Sequence, residues 1–379
     1  MARVVVAGYA IRNPVGGSLI AFVHHILGLH LLGHEVFYVE ESGWPGSCYD
    51  PVKQKYGDDP SEGLDAIRRL MDAHGFRLPV CYVSRQSGQI VAADHDMLRD
   101  ALRGADLLLN VGGVCWLPEF ELSRRRALVD KDPFFTQVGL FCSSIADRHH
   151  VHFSYGVNIG RPGCSIPTGG IHWLPTVPPV ITDLWARTPQ SASAPFTTIG
   201  SLKPIETVSY NGEEYGQKDV EFLRIIDLPK RTAQPLELAL KEDSYSFEIL
   251  ELLRGSGWRV RSAAEVSTNP DAYRRYICAS RGEFSVAQDG YVKTHSGWFS
   301  DRSVCYIAAG LPVVLQDTGI GDWLPTGTGI VTFSTLQEAV DGLARVNSVY
   351  SQHCEAAREI ADTVFDYRVV LPQLLDLAL

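Results

Sequence analysis

A polar segment at residues 293–303 has the composition of an anion-binding site, because small polar residues and a glycine lead into a short Ala-rich helix. The first amides of a helix have no partner within it, and the helix dipole places positive potential there, which suits a phosphate. Lys293, His295 and Arg302 add cationic or hydrogen-bond donor side chains nearby. A Gly and a Pro then end the helix, and a β-branched run predicts a new strand.

The sequence of this segment resembles the donor-nucleotide segment of GT-B glycosyltransferases. Many of these read T-H-x-G-W-x-S, then a short helix, then A-G-x-P-V-V, and this chain matches at Thr294, His295, Gly297, Trp298 and Ser300 and again at 309–314. The resemblance implies that the helix N-terminus holds the diphosphate of a nucleotide sugar. The residues that we expect to bind the donor are Gly16, Gly17, Lys293, His295, Gly297, Ser300, Asp301, Arg302, Ser303, Asp317 and Thr318.

Gly16-Gly17 precedes an apolar helix and could hold an anion through backbone amides, or could simply form a turn that needs glycine. The chain has neither a G-x-G-x-x-G fingerprint nor a Walker A motif, so no motif supports NAD or ATP as a cofactor. The pattern Pro14-x-Gly16-Gly17, followed by G-H-E-V at 33–36, resembles the opening of the GT-B superfamily. In that superfamily such glycines face the donor diphosphate or the acceptor.

His149 and His152 lie in a stretch, 149–160, that reads as a polar loop. No metal-binding spacing accompanies them, so we predict no metal site. One of the two, His152 first, is predicted to contact the acceptor as a donor or a base in an inter-domain cleft. The alternative is a structural loop.

Four acidic residues at three places in the chain are also weighed. Glu283 stands in a stretch, 280–285, that resembles the S-x-x-E-G-F turn of retaining GT-B enzymes, in which the Glu contacts the donor sugar. Asp317 occupies a region where several GT-B families bind sugar hydroxyls, or else it caps a loop. Asp130-x-Asp132 could supply a base, hold a divalent ion or cap a loop. Because GT-B enzymes generally neutralise the diphosphate without a metal, no metal or other cofactor is predicted.

The elements that must position these residues form an α/β pattern. Arg3–Gly8 reads as a buried strand, Ser18 as the cap of a helix over Leu19–Leu32, and Glu35–Val39 as the next strand, which is a βαβ unit. Residues 135–141 read as a further strand. A Pro/Ser/Ala-rich passage at Arg187–Pro195 interrupts the alternation of predicted strands and helices.

The resemblance and this alternation of strands and helices predict two doubly wound Rossmann-like domains that face a cleft. The C-terminal helix is expected to cross back to the N-terminal domain. The predicted divisions are an acceptor-side domain over 1–186, a linker over 187–195, a nucleotide-sugar domain over 196–365 and a returning segment over 366–379.

Bulk composition narrows the class of protein. Acidic residues exceed basic ones, 44 against 34, which argues against nucleic acid as a general ligand. No apolar run is long enough to span a membrane, and the N-terminus has no signal-peptide pattern, so a cytoplasmic location is expected. Eight scattered cysteines fit buried, reduced thiols.

The function that the sequence favours is transfer of a glycosyl group from a nucleotide-diphosphate sugar to a small molecule or glycan precursor. One alternative is an epimerase or hydrolase of the same fold. Another is a non-catalytic protein that binds a sugar nucleotide, because the helix after residue 300 lacks the glutamate of the plant and antibiotic sugar transferases. The oligomeric state is left open.

Overall fold

A computed structural model describes residues 1–139, 147–187, 190–203 and 206–379 of the chain. Its strands form two large parallel sheets and two small hairpins. In chain order the strands are β1 Arg3–Gly8, β2 Glu35–Glu41, β3 Cys48–Asp50, β4 Lys55–Gly57, β5 Val80–Val83, β6 Ile90–Val91, β7 Leu107–Val111, β8 Arg126–Asp130, β9 Val151–Ser154, β10 Trp173–Pro175, β11 Phe196–Gly200, β12 Val208–Tyr210, β13 Glu213–Tyr215, β14 Leu236–Leu240, β15 Arg259–Ser262, β16 Gly282–Ser285, β17 Val313–Gln316 and β18 Ile330–Phe333.

Helices cover both faces of each sheet. The α-helices of the described residues are Gly16–Leu31, Ser61–Asp72, His95–Gly104, Phe135–Val138, Lys218–Arg224, Leu228–Arg231, Phe247–Gly255, Ala263–Val266, Pro270–Cys278, Asp289–Lys293, Asp301–Ala308, Leu336–Ser348, Tyr350–Ile360 and Tyr367–Ala378.

Both large sheets are doubly wound. The first has the order β10-β9-β8-β7-β1-β2-β5-β6 and is parallel except for β6, and the second has the order β15-β14-β11-β16-β17-β18 and is parallel throughout. The strand order reverses beside β1 in the first sheet and beside β11 in the second. Ligands of such sheets bind outside the carboxyl ends of the strands at these reversal points. The predicted fold class is therefore confirmed.

The C-terminal helix returns to the first domain, as predicted. Tyr367–Ala378 packs on the helix Gly16–Leu31, and an added Cβ at Gly28 would meet Leu371 at 2.8 Å and Tyr367 at 3.1 Å. The side chain of Arg125 also donates to the carbonyl of Ala378 at 2.6 Å. The residue limits of the domains and of the linker stay predictions.

Two element predictions in the first domain are wrong. Residues 135–138 form a helix rather than the start of a strand, because side chains of Thr136 and Gln137 turn back to donate to the Asp130 carboxylate at 2.6 and 2.8 Å. Gly139 caps this helix, and the rest of that predicted strand, 140–141, lies outside the described residues. The supposed loop 149–160 contains strand β9, which lies between β8 and β10 in the first sheet.

A third correction concerns the first helix, which begins at Gly16 rather than after Ser18. The Gly16 amide donates to the carbonyl of Ser267 in the second domain at 2.8 Å. An added Cβ at Gly16 would lie 2.4 Å from the Cβ of Tyr273. Glycine therefore lets this helix start directly against the second domain.

Asn158 joins the two domains through a buried amide. Its Nδ2 lies within hydrogen-bond distance of three oxygens of the second domain, the carbonyls of His295 at 3.2 Å and Gly319 at 3.1 Å and a carboxylate oxygen of Asp322 at 3.1 Å. Gly297 packs so closely that an added Cβ would lie 2.8 Å from the Asn158 side chain. Each contact ties the domains together, so Asn158 contributes to their relative position.

An aromatic cluster extends the same contact. Phe134 and Phe135 of the first domain pack against Tyr215 and Tyr291 of the second, with ring centroids 4.1 and 5.7 Å apart. Gly290 completes the fit, because an added Cβ there would meet the Phe135 ring at 2.8 Å.

Replacing Asn158 tests this junction. Asn158→Ala should lower the free energy of unfolding by about 1–3 kcal/mol, because buried acceptors lose their donor. Asn158→Asp, which has nearly the same shape, should cost more, because a carboxylate would then face three oxygens. Urea denaturation of both variants measures the difference, and an Asn158→Asp protein as stable as wild type would contradict the assignment.

Candidate functional site

A cavity of about 880 Å³ lies between the two domains, at the carboxyl ends of their strands. From the first domain it is lined by Tyr9 after β1, Lys131 after β8, Gly17 and the β3–β4 hairpin. From the second domain it is lined by residues 199–201 at the end of β11, Lys241 after β14 and 262–264 at the end of β15. This is the position that the reversal points of two doubly wound sheets predict for a ligand.

Cationic side chains converge on this cavity although the whole chain is acidic. Three of them contact a neighbour: Lys131 Nζ lies 2.8 Å from a carboxylate oxygen of Asp301, Lys203 pairs with Asp219 at 3.0 Å, and the Lys241 ammonium donates to the hydroxyl of Tyr56 at 3.2 Å. Lys218 and Arg302 complete the set of five, and Arg302 also contacts its neighbours.

Arg302 is fixed by three hydrogen bonds. Its Nε donates to Glu283 at 2.6 Å, its Nη1 to the carbonyl of Ile199 at 2.8 Å and its Nη2 to the hydroxyl of Ser285 at 2.6 Å. Glu283, 0% exposed, lies behind the guanidinium and outside the cavity lining. Glu283 therefore orients the Arg302 guanidinium.

Lys218 is the cation that the sequence analysis missed. No ion pair or hydrogen bond of its ammonium is found within the described residues, and it is half-buried in the cavity wall. Burial, with a smaller contribution from the nearby Arg302 charge, lowers the pKa of Lys218 from 10.5 to about 7. Its position at the start of a helix matches no motif, so only the three-dimensional structure identifies it.

Lys218 and Arg302 both point to the end of β11. A Cβ added at Gly200 would lie 3.4 Å from Arg302 Nη1 and 3.8 Å from Lys218 Nζ. Beside them begins the helix Asp301–Ala308, whose cap Ser300 accepts a hydrogen bond from the Arg302 amide at 3.2 Å. Two cations and a helix N-terminus together form a site suited to a diphosphate.

Four of the predicted donor-binding residues therefore line one cavity, namely Gly17, Ser300, Asp301 and Arg302. Gly16 lies next to it, in the contact with Tyr273. Ser303 is buried within the same helix and does not line the cavity.

The structure places the other predicted donor residues elsewhere. Lys293 pairs with Asp289 at 2.8 Å and donates to the carbonyl of Glu214. His295 Nε2 lies 2.9 Å from a carboxylate oxygen of Asp322, and Gly297 packs on Asn158. Most of the segment 293–299 thus forms the inter-domain junction.

Asp317 and Thr318 have local partners outside the cavity lining. The Asp317 carboxylate accepts hydrogen bonds from the amides of Gly319 at 2.9 Å and Ile320 at 3.3 Å, which is the loop-capping alternative. The Thr318 hydroxyl donates to the carbonyl of Trp298 at 2.8 Å. A donor-binding role for either residue stays a prediction.

His149 and His152 also lie outside the lining of this cavity. His149 is buried, with its Nε2 3.3 Å from the amide nitrogen of Asn110 and its ring 5.5 Å from that of Trp116. His152 lies on β9 with its ring 5.6 Å from that of Trp173. Their predicted roles toward the acceptor stay untested.

Solved structures share this fold along the whole chain. An alpha-glucosyltransferase in complex with UDP and a 13-mer DNA aligns with a TM-score of 0.58 and 10% identity, covering 99% of this chain and 98% of that one. Anabaena Alr3699/HepE in complex with UDP-glucose aligns with a TM-score of 0.59 and 12% identity, covering 100% and 99%. The chain therefore has the fold of these GT-B glycosyltransferases. No protein-family model and no curated protein matches its sequence.

The DNA complexes correct one sequence-based conclusion. The acidic balance of the chain led us to exclude nucleic acid as a general ligand, but proteins of this fold have been solved with DNA that contains a mismatch, an abasic site or an HMU base. The exclusion is wrong because net charge describes the whole surface, whereas binding depends on the local charge of one cleft.

Within the described residues, no helix is long and apolar enough to cross a bilayer.

Lys218→Met should stabilise the fold at neutral pH. Because the pKa of Lys218 falls from 10.5 in the unfolded chain to about 7 in the folded one, the unfolded chain holds more protons between these values, and stability rises with pH across that window. The gain from removing the ammonium is therefore full below pH 7 and shrinks as pH rises toward 10.5. Urea denaturation at pH 6.5 and 9.5 measures both gains. A variant less stable than wild type at pH 6.5 would contradict this reading.

Proposed function

We propose that this protein is a glycosyltransferase that uses a nucleotide-diphosphate sugar, with UDP-glucose as the first donor to test. The observation that carries the proposal is the convergence of Lys218 and Arg302 on Gly200, beside a helix N-terminus, in a cavity between two doubly wound domains. Keeping an unpaired ammonium partly buried costs stability, and a diphosphate would supply its missing partner. The neighbours of the same fold that hold UDP or UDP-glucose support this donor class.

The proposed chemistry follows from the charges. The bond between the anomeric carbon and the β-phosphate oxygen breaks, an acceptor hydroxyl oxygen bonds to that carbon, and the hydroxyl proton leaves to a base. Negative charge grows on the departing diphosphate, where Lys218, Arg302 and the helix dipole are already in place to stabilise it. These groups supply the charge that a metal ion would otherwise bring, so we propose a reaction without a metal or another cofactor.

The acceptor side of the cavity belongs to the first domain. Tyr49, Gln54 and Tyr56 of the β3–β4 hairpin line it, and they offer aromatic faces and an amide to a hydroxylated acceptor. We propose a small molecule or a glycan precursor as the acceptor. The predicted base, His152 or failing that His149, lies outside the lining of this cavity, so that role stays a prediction.

Lys218→Met should weaken UDP binding about 10–100-fold, because a charge-assisted contact to phosphate is lost, and should leave uridine binding nearly unchanged. Isothermal titration calorimetry with both ligands measures this. Lys230→Met is the matched control, because Lys230 is an exposed lysine paired with Asp227 at 2.8 Å outside the cavity. Equal UDP affinity of the Lys218→Met and Lys230→Met proteins would remove Lys218 from the site.

Turnover of UDP-glucose separates the proposal from its rivals. Incubation without an acceptor should release little UDP, and a screen of sugars, glycan precursors and HMU-containing DNA should restore release together with a glycosylated product. Rapid release of free sugar without an acceptor would favour a hydrolase, and conversion to another nucleotide sugar would favour an epimerase. Tight UDP binding without any turnover would favour the non-catalytic alternative.

A further inference from the structure

An ion pair crosses the cleft and joins the two domains. Lys131 follows β8 of the first sheet, Asp301 is the first residue of the helix Asp301–Ala308, and Lys131 Nζ lies 2.8 Å from Asp301 Oδ2. Only 8% of the Lys131 side chain is exposed, and its ammonium lies 5.7 and 5.2 Å from the ring centroids of Tyr9 and Phe22. The lysine is therefore held in one position rather than free to reorient.

The position of Asp301 conflicts with the ligand proposed for this cleft. A carboxylate in the first turn of a helix is favourable when the helix end is empty, because it faces the positive end of the dipole. A diphosphate bound at the same helix end would instead meet a like charge at short range, which weakens binding. Lys131 removes this conflict, because the Lys131–Asp301 pair carries no net charge.

Lys131 comes from the opposite domain to the other phosphate-facing groups. Lys218 and Arg302 both belong to the second domain, as does Asp301. Separation of the domains would withdraw Lys131 and leave the Asp301 carboxylate uncompensated beside the phosphate site. The charge of that site is therefore set by both domains together.

We propose that Lys131 is a positioning residue for the donor, which neutralises Asp301 across the cleft so that the diphosphate site is complete only while the two domains are closed on each other. This inference rests on the proposed function. It adds a charged side chain of the N-terminal domain to donor binding, for which the sequence had indicated only Gly16 and Gly17 of that domain.

Four proteins test the proposal: wild type, Lys131→Met, Asp301→Asn and the double variant, each titrated with UDP and with uridine by calorimetry. Lys131→Met should weaken UDP binding about tenfold or more, because a like charge is exposed beside the ligand. Asp301→Asn should tighten UDP binding, because Lys131 is then free to face the phosphate. The double variant should return to within about threefold of wild type, since the two changes act on one pair. Uridine affinity should stay nearly constant throughout.

The outcomes separate this inference from the proposed function. Wild type that does not bind UDP would remove the proposed function, whereas wild type that binds UDP with an affinity that Lys131→Met leaves unchanged would remove only the inference. A double variant as weak as Lys131→Met would also overturn it, because the lysine would then act directly on the ligand or on the fold. Thermal unfolding shows whether Lys131→Met is folded. If it is not, the titration of Asp301→Asn with UDP tests the proposal, and weaker UDP binding by that variant would overturn it.

Discussion

The buried ion pair between Arg302 and Glu283 is the interaction on which the candidate site depends. Glu283 lies on β16 and Ile199 on β11, the two strands at which the order of the second sheet reverses. Arg302 reaches into this crevice from the following helix and bonds both of them, so one guanidinium fixes the helix N-terminus against the sheet. Removal of either charge would leave the other buried without a partner, which costs far more than the pair contributes.

The second domain alone does not make the cleft. The buried amide of Asn158 and the aromatic contact around Phe135 hold the first domain in place on one side, while the pair Lys131–Asp301 and the contact of Tyr56 with Lys241 bridge the cavity itself. These contacts place residues from distant parts of the chain around one volume. The site is thus a product of domain packing as much as of any single motif.

Local patterns predicted much of the fold. The Val-rich Arg3–Gly8 and the strand that begins at Glu35 lie as expected, because a buried parallel strand needs little beyond a run of mostly apolar residues between turns. Strand β9 was missed because it is short and follows a cluster of histidines, which made the stretch look like a loop. The helix at Phe135 was missed because its cause is the Asp130 carboxylate, a tertiary contact that apolar periodicity does not reveal.

The candidate site was predictable only in part, for a similar reason. The sequence identified three cavity residues correctly, because they belong to a helix N-terminus, which local sequence can reveal. These are Ser300, Asp301 and Arg302. His295 and Gly297 belong to the same motif but contact Asn158, which comes from the other domain and carries no signal of its own. Nothing in the sequence indicates that Lys218 belongs to the site, because the lowered pKa of this isolated lysine arises only from the surroundings that the fold supplies.

The central claim is that this cleft binds a nucleotide diphosphate through Lys218, whose side chain is largely the neutral amine at pH 8 before binding and becomes the ammonium when the diphosphate binds. Calorimetric titration of UDP at pH 8, repeated in buffers of different ionisation enthalpy, counts the protons that accompany binding. Because the pKa of Lys218 is lowered to about 7 and a bound diphosphate favours the charged form, we expect net uptake of protons when UDP binds. Binding of UDP with no proton uptake, or no binding of UDP at all, would contradict it.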